Sequence, residues 1–297
     1  MIERVLVALH DRENLGTSLE KAALLEHFTG AKVTVAQTCW DWVSEEPAQH
    51  FPQEEIDSVT SRMKATELNN LSASLAPYQQ RIAELEVQVL WSKHHADAIA
   101  RYALETSTDL IVAPRHNPAL LERVALPEEL KLTAHAHTPL LIATDQPWPE
   151  RVNVMAALDV LAQGHDELNR RLIEFAQQLA KVLGGTLHLV NVDPATTSTA
   201  VPLETMDEFR RRSHETRSDA LHALASRHPY DYAGLHVVAG PVDQALQQLA
   251  NTQEIAIALV GTAGRTGLQR LFVGNTAETL LHHLNNLDLV MIPSAPG

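Results

Sequence analysis

Val152-Asn153-Val154-Met155-Ala156-Ala157-Leu158-Asp159 is a short apolar run ending on a carboxylate, and it restarts a pattern that the chain has already run through once. Its forerunner is Val5-Leu6-Val7-Ala8-Leu9, followed by helical spacing over Ser18 to Glu26. A short continuous apolar run and then a 3.6-residue period read as strand and helix. Lys32 to Gln37 predicts a second strand after the Gly30-Ala31 break, and Leu85 to Leu90 a third after a long helix-prone stretch from about Glu54 to Ala83. Asp109 to Ala113 and Pro139 to Ala143 predict the fourth and fifth, with a helix over Ala96 to Thr106 before the fourth. Two prolines in Asp145-Gln146-Pro147-Trp148-Pro149-Glu150 interrupt the series as a domain junction would.

Past that junction the order is preserved. The helix spans Leu168 to Ala176, and the second strand is Thr186 to Val192. A charged helix over Glu204 to Ser226 precedes the third strand at Leu235 to Gly240. A helix over Val242 to Ala250 separates it from the fourth strand, Ile255 to Gly261, and Leu289 to Pro293 is the fifth. This is a tandem duplication of a roughly 145-residue α/β unit. Apolar strands alternating with helices predict parallel sheets covered on both faces, joined by right-handed crossovers. The sequence favours two separate five-stranded sheets, in residues 1–144 and 151–297, over one sheet of ten strands.

Composition agrees with a globular chain. Of 297 residues 45% are hydrophobic and 20% charged, with 12 glycines and 15 prolines, which excludes a disordered or collagen-like chain. The net charge of -14 repels phosphate backbones and anionic lipid, so nucleic acid and membrane partners are not expected. A small anion is still admissible, because local backbone N–H groups hold a nucleotide phosphate whatever the global charge. The single cysteine, Cys39, rules out an internal disulfide and a cysteine-cluster metal site. Residues 1–9 lack a cleavable signal pattern and are too short to span a bilayer, so the expected location is the cytoplasm.

In open parallel sheets a ligand sits beyond the carboxyl ends of the strands. Two features of the second repeat fall there: Asp159 after its first strand, and Gly261-Thr262-Ala263-Gly264-Arg265-Thr266-Gly267 after its fourth. A 3-2-1-4-5 strand order would make those strands neighbours. Gly261 and Gly264 permit tight turns and close approach of a phosphate chain. Nine residues on, Gly274-Asn275-Thr276 offers N–H groups, a carboxamide and a hydroxyl at the start of a helix. Arg265 or Arg270 would add charge, or would face solvent. No Gly-Lys-Ser/Thr closes the loop, so it is not a P-loop, and a dinucleotide fingerprint would follow the first strand instead. A purely structural turn is the competing account of the glycines, and a strand-end cap that of Asp159.

These motifs, with the linker, resemble the universal stress protein family in its tandem-domain form, over essentially the whole chain. The resemblance implies an adenine nucleotide alpha hydrolase-like, Rossmann-like fold with strand order 3-2-1-4-5, and domains that pair through their last strands. It implies ATP, with Mg²⁺, bound by the Asp at the end of strand one and the Gly-x-x-Gly-x9-Gly-Ser/Thr motif. In this chain those positions are Asp159, Gly261, Gly264, Gly274 and Asn275, with Thr262, Arg265 and Thr276 beside them, and Gly240 matches a small residue near the nucleotide. Asn275 stands where the motif has Ser or Thr.

The first repeat departs from this pattern. His10 occupies the strand-one end, with Asp11 after it, and Ala113-Pro114-Arg115-His116-Asn117-Pro118-Ala119 has no glycine. A proline ring and β-carbons stand where the backbone would turn around phosphate, so this repeat is read as degenerate.

The remaining candidates point less sharply. The histidine pairs His94-His95, His135-Ala136-His137 and His282-His283 lack companions at metal-ligand spacing, so no metal site is assigned. Cys39 has no activating neighbour in sequence, and Trp40, Trp42 and Trp148 read as apolar anchors or pocket walls. Asp11 with Glu13 and Glu45-Glu46 read as solvated loop charge, and no catalytic residue is assigned. The expected function is a stress-response protein using ATP as a regulatory ligand in its second repeat, with at most slow hydrolysis. The alternative is a non-catalytic signalling or interaction protein that binds no nucleotide, or a different small molecule or lipid. A protein partner is expected in either case, with the two domains paired within the chain and a homodimer as a further option.

Overall fold

The computed structural model describes residues 1–10, 15–41, 52–115, 128–194, 206–262, 279–281, 283–284 and 286–294. The chain divides into two compact units, Met1–Thr138 and Pro139–Gly297.

Unit 1 begins with β1 (Arg4–Leu9), α1 (Leu15–Thr29) and β2 (Lys32–Cys39), and continues through α2 (Gln53–Leu75) to β3 (Leu85–Trp91). It closes with α3 (His95–Glu105), β4 (Leu110–Pro114) and α4 (Glu128–His135). Its strands run in the order β3-β2-β1-β4, all parallel. The apolar run that marks β1 is the core of this unit: Val5 to Leu9 are all buried, as is every residue of β4. Each Val, Leu or Ile side chain among them contributes about 1.5–3 kcal/mol of burial. β3 lies at the sheet edge and is only half-buried, which matches its alternation of apolar residues with the polar Glu86 and Gln88.

Unit 2 contains β5 (Leu140–Ala143), β6 (Asn153–Ala157), α5 (Asp166–Val182), β7 (Leu187–Asp193) and α6 (Met206–Arg227). After these come β8 (Tyr232–Ala239), α7 (Val242–Thr252), β9 (Ile255–Thr262) and β10 (Asp288–Pro293). The strand order is β5-β10-β9-β6-β7-β8. Counted within the second repeat, β8-β7-β6-β9-β10 is the expected 3-2-1-4-5. Helix α5 shows why the local pattern was readable. Leu172, Ile173, Ala176, Leu179 and Ala180 form one buried stripe, while Arg170 pairs with Glu167 and Glu174 on the outer face.

One element departs from the expectation of two separate sheets and meets the one that the resemblance implied, pairing of the last strands of the two repeats. β5 closes the first repeat in sequence, yet it joins the sheet of unit 2, antiparallel to β10, with Leu141 opposite Val290 and Leu140 opposite Met291. Both strands are buried throughout and apolar apart from Asp288, and pairing satisfies backbone groups that an isolated sheet edge would leave bare. The linker is bonded into the same corner. Asp288, 1% exposed at the start of β10, accepts from Thr144 N at 2.8 Å, Thr144 Oγ1 at 2.7 Å and Trp148 Nε1 at 2.7 Å. Trp148 is therefore a polar anchor as well as an apolar one.

Candidate functional site

The carboxyl ends of β6 and β9 lie side by side. Ala156 is opposite Leu259 in the parallel ladder, and Asp159 and Thr262 each lie three residues beyond that pair. Asp159 and the Gly261-Thr262 end of β9 therefore come to one edge of the sheet on adjacent strands. Gly240 follows β8, separated from β6 by β7. Gly264, Arg265, Gly274, Asn275 and Thr276 lie outside the described residues.

Asp159 sits in a built loop. Its backbone N–H donates to Asn169 Oδ1 at 3.3 Å, and its carbonyl accepts from Asn169 Nδ2 at 2.9 Å. One carboxylate oxygen accepts from Ala162 N at 3.2 Å, the other lies 3.5 Å from His165 Nδ1, and the side chain remains 54% exposed. The capping role weighed for Asp159 in the sequence is thus present in its geometry, and lone pairs remain available to a ligand.

Gly261 has a packing reason to be glycine. A β-carbon there would stand 2.6 Å from Leu168 Cδ2 of α5, so the bare backbone lets the helix lie close to β9. The Thr262 hydroxyl donates to the Ile292 carbonyl at 3.4 Å, and its own carbonyl accepts from Ser294 Oγ at 2.8 Å. Gly240 has φ +128°, a conformation strained for any side chain, and open space where a β-carbon would be.

Beside this edge is a polar network that the sequence reading missed. Asn191 Nδ2 donates to the Leu158 carbonyl at 2.7 Å, while Asn191 Oδ1 accepts from Arg217 Nη1 at 3.1 Å. Arg217 Nε lies 3.3 Å from Asp193 Oδ1, which also accepts from Ser213 Oγ at 2.9 Å. Asp193 is buried, so the guanidinium of α6 supplies the countercharge that a carboxylate there requires. The available signal was polar residues, Asn191 and Asp193, on the same strand face as the buried Leu187 and Leu189.

The first repeat presents different chemistry at the corresponding edge. His10 follows β1 and meets His95 edge to face at 5.2 Å, and His95 Nδ1 shares a hydrogen with Thr38 Oγ1 at 3.0 Å. Lys93 Nζ lies 4.8 Å from the Trp40 ring. Cys39 is pushed above the ordinary thiol range by burial and then by Glu67, with Lys64 opposing. Asp11, His116 and Trp42 lie outside the described residues.

Two of the other histidines flagged in sequence lie against carboxylates, and His282 lies outside the described residues. His135 Nδ1 lies 2.7 Å from Asp97, and His283 Nδ1 lies 2.8 Å from Asp243. The two repeats thus share a link between the helix before the fourth strand and a histidine downstream of that strand. Among the described residues no three His, Cys, Asp or Glu side chains group as metal ligands. Among those residues, too, no helix is long and apolar enough to cross a membrane.

The family model for the universal stress protein family matches twice, at residues 1–143 and 152–292. This chain belongs to the universal stress protein family. Both halves are universal stress protein domains, as the duplicated strand order requires. Universal stress protein E of Salmonella typhi is 27% identical, over 98% of this chain and 94% of that protein. The universal stress protein E homolog of Haemophilus influenzae is 26% identical over 98% of both chains. Among solved structures, a putative universal stress protein from Pseudomonas aeruginosa UCBPP-PA14 is similar, with a TM-score of 0.68 at 22% identity, over 98% of this chain and 93% of that one. A universal stress protein from Archaeoglobus fulgidus DSM 4304 gives 0.63 at 14% identity, over 99% and 97%. These likenesses establish the tandem universal stress protein fold along the whole chain.

Proposed function

We propose that residues 151–297 of this stress-response family member bind ATP as a regulatory ligand. In this reading Asp159, Gly240, Gly261, Thr262, Gly264, Arg265, Gly274, Asn275 and Thr276 form the site, and residues 1–144 form a degenerate partner repeat. The observation that carries it is the adjacency of Asp159 and the Gly261-Thr262 strand end at the carboxyl edge of neighbouring parallel strands. The half-exposed Asp159 carboxylate is suited to a ribose hydroxyl, or to Mg²⁺ shared with the phosphates. Nucleotide acts by changing domain packing or the surface offered to a protein partner in the cytoplasm, through its differential affinity for two states. Hydrolysis is at most slow.

Calorimetric titration of the purified full chain with ATP, with and without Mg²⁺, should give one site per chain. Gly264→Val should abolish binding while the fold persists. Absence of binding under both conditions overturns the reading.

A second reading draws on the same loop. The Asp159 carboxylate already bonds within its own turn, which suits a non-catalytic interaction protein with no nucleotide. Mass spectrometry of ligand released from protein purified without added nucleotide separates the two, and a lipid or other metabolite there would favour the second.

A further inference from the structure

His188 on β7 and His236 on β8 meet inside the second repeat, 48 residues apart in sequence. His188 Nδ1 lies 3.1 Å from His236 Nε2, with 22° between the ring planes. The local backbone is shaped around this contact. The β7–β8 register shifts between Leu187 and His188, so that His188 faces Gly234. A β-carbon on Gly234 would stand 2.3 Å from His236 Nε2, so only glycine lets the second ring reach across.

The hydrogen positions follow from the far end of the chain of bonds. Asn153 Nδ2 donates to the Gln253 carbonyl at 3.1 Å, which leaves Asn153 Oδ1 to accept from Thr186 Oγ1 at 2.9 Å and Thr186 N at 3.1 Å. With its own hydrogen given away, Thr186 Oγ1 accepts from His188 Nε2 at 3.2 Å. Nδ1 of His188 is then a bare acceptor, and His236 Nε2 is the donor to it. A first proton has a place to go, on His236 Nδ1. A second must enter His188 Nδ1 and would set two N–H groups against each other across 3.1 Å.

We propose that His188 and His236 form an acid-sensitive clasp that holds the outermost strand β8 on β7 and opens when both rings carry a proton. His188 is 3% exposed, so the second charge has little water to stabilise it. Burial lowers the basicity of both rings, and for His188 the neighbouring His236 lowers it further. On the helices packed against these strands, Arg170 of α5 pairs with Glu167 and Glu174, and on α6 Arg211 pairs with Glu215, Arg212 with Glu208 and Arg227 with Asp166 of α5. Arg217 of α6 engages Asp193, Asp243 of α7 engages His283, and Lys181 of α5 is exposed. On β8 itself, the Tyr232 hydroxyl donates to the His228 carbonyl. Because the folded-state values are depressed, the unfolded chain takes up protons first. Stability from this pair is complete above the ordinary histidine range and is lost as pH falls through about 6.5 and below.

Hydrogen exchange of the full chain, corrected for intrinsic rates, tests the clasp at the amides of residues 235–238. Protection there should fall about tenfold or more between pH 7 and pH 5, the equivalent of one pKa unit of differential proton affinity. His236→Gln should lose clearly less protection than the wild type, because the carboxamide donates to neutral His188 Nδ1 and, turned over, accepts from it once protonated, which leaves only the burial of one charge. Equal protection of the wild type at both pH values overturns the proposal, and so does an acid-dependent loss as large in His236→Gln as in the wild type. Imidazole nitrogen NMR of the wild type gives a check independent of any variant: His188 should carry its hydrogen on Nε2, and the Nδ1–H form would overturn the clasp. These measurements read β7 and β8 alone and stand whether or not nucleotide binds.

Discussion

The carboxamide of Asn169 closes on both backbone groups of Asp159, accepting from its N–H at 3.3 Å and donating to its carbonyl at 2.9 Å. Asn169 is itself 4% exposed on α5, so a buried helix side chain sets the course of the chain where β6 gives way to the loop. Asn169→Ala should cost about 2 kcal/mol in urea unfolding, from two unsatisfied backbone groups. It should also weaken any ATP binding that depends on Asp159 without removing a ligand contact of its own. Unchanged stability would show that the loop is held by other means.

Trp148 and Thr144 converge on Asp288, a carboxylate with almost no exposure. Asp288→Ala leaves three donors facing a void and should destabilise the chain by about 4 kcal/mol, whereas Trp148→Phe removes one charge-assisted bond and should cost about 2 kcal/mol. Unfolding followed by circular dichroism distinguishes these values. Equal and small effects would reduce the linker contact to surface decoration.

Gly261 answers to Leu168 as well as to any ligand. Gly261→Ala should cost about 1 kcal/mol, because Leu168 Cδ2 must move aside, and Leu168→Ala should absorb that cost in the double variant. A penalty that survives Leu168→Ala would point to backbone strain at this position instead. The same pair separates packing from binding, since Gly261→Ala in the Leu168→Ala background should recover stability whatever its effect on ATP.

Cys39 should alkylate slowly. Burial and the Glu67 carboxylate both disfavour the thiolate, and each pKa unit upward lowers its fraction about tenfold near neutrality. Glu67→Gln should speed reaction with iodoacetamide at pH 7.5, while Lys64→Met should slow it. A faster rate in Lys64→Met would reverse the assignment.

The fold was legible where burial is uniform. β1, β4, β6, β9 and β10 announce themselves as apolar runs, and the second pass after Pro149 reproduces the order of the first. Helices α3, α6 and α7 match their expected spans closely, whereas α2 ends at Leu75 rather than running on to Ala83 and α5 continues past Ala176 to Val182. Pairing of β5 with β10 was not decided by periodicity, because a four-residue strand buried on all sides carries no mark of the sheet it joins. Asp159 and Gly261 were found because they end strands, a position visible in sequence. His188 and His236 were missed because adjacent histidines drew notice, while this pair depends on cross-strand register, a shifted ladder and the bare Cα of Gly234. The Asn191–Arg217–Asp193 network was hidden for a similar reason: Arg217 lies 26 residues beyond Asn191 and meets it only when α6 lies down on β7.

The antiparallel pairing of β5 with β10 also governs where this protein can be cut. A fragment beginning at residue 151 would carry every strand of the second repeat but would strip β10 of its antiparallel neighbour, baring a row of amide and carbonyl groups on a largely apolar strand. Such an edge recruits whatever strand is nearest, including its own copy. A truncation that starts at Pro139 keeps that neighbour and ends the sheet on four-residue β5 instead of six-residue β10, so the shorter piece, although it matches the repeat boundary better, is the one expected to associate or precipitate more readily.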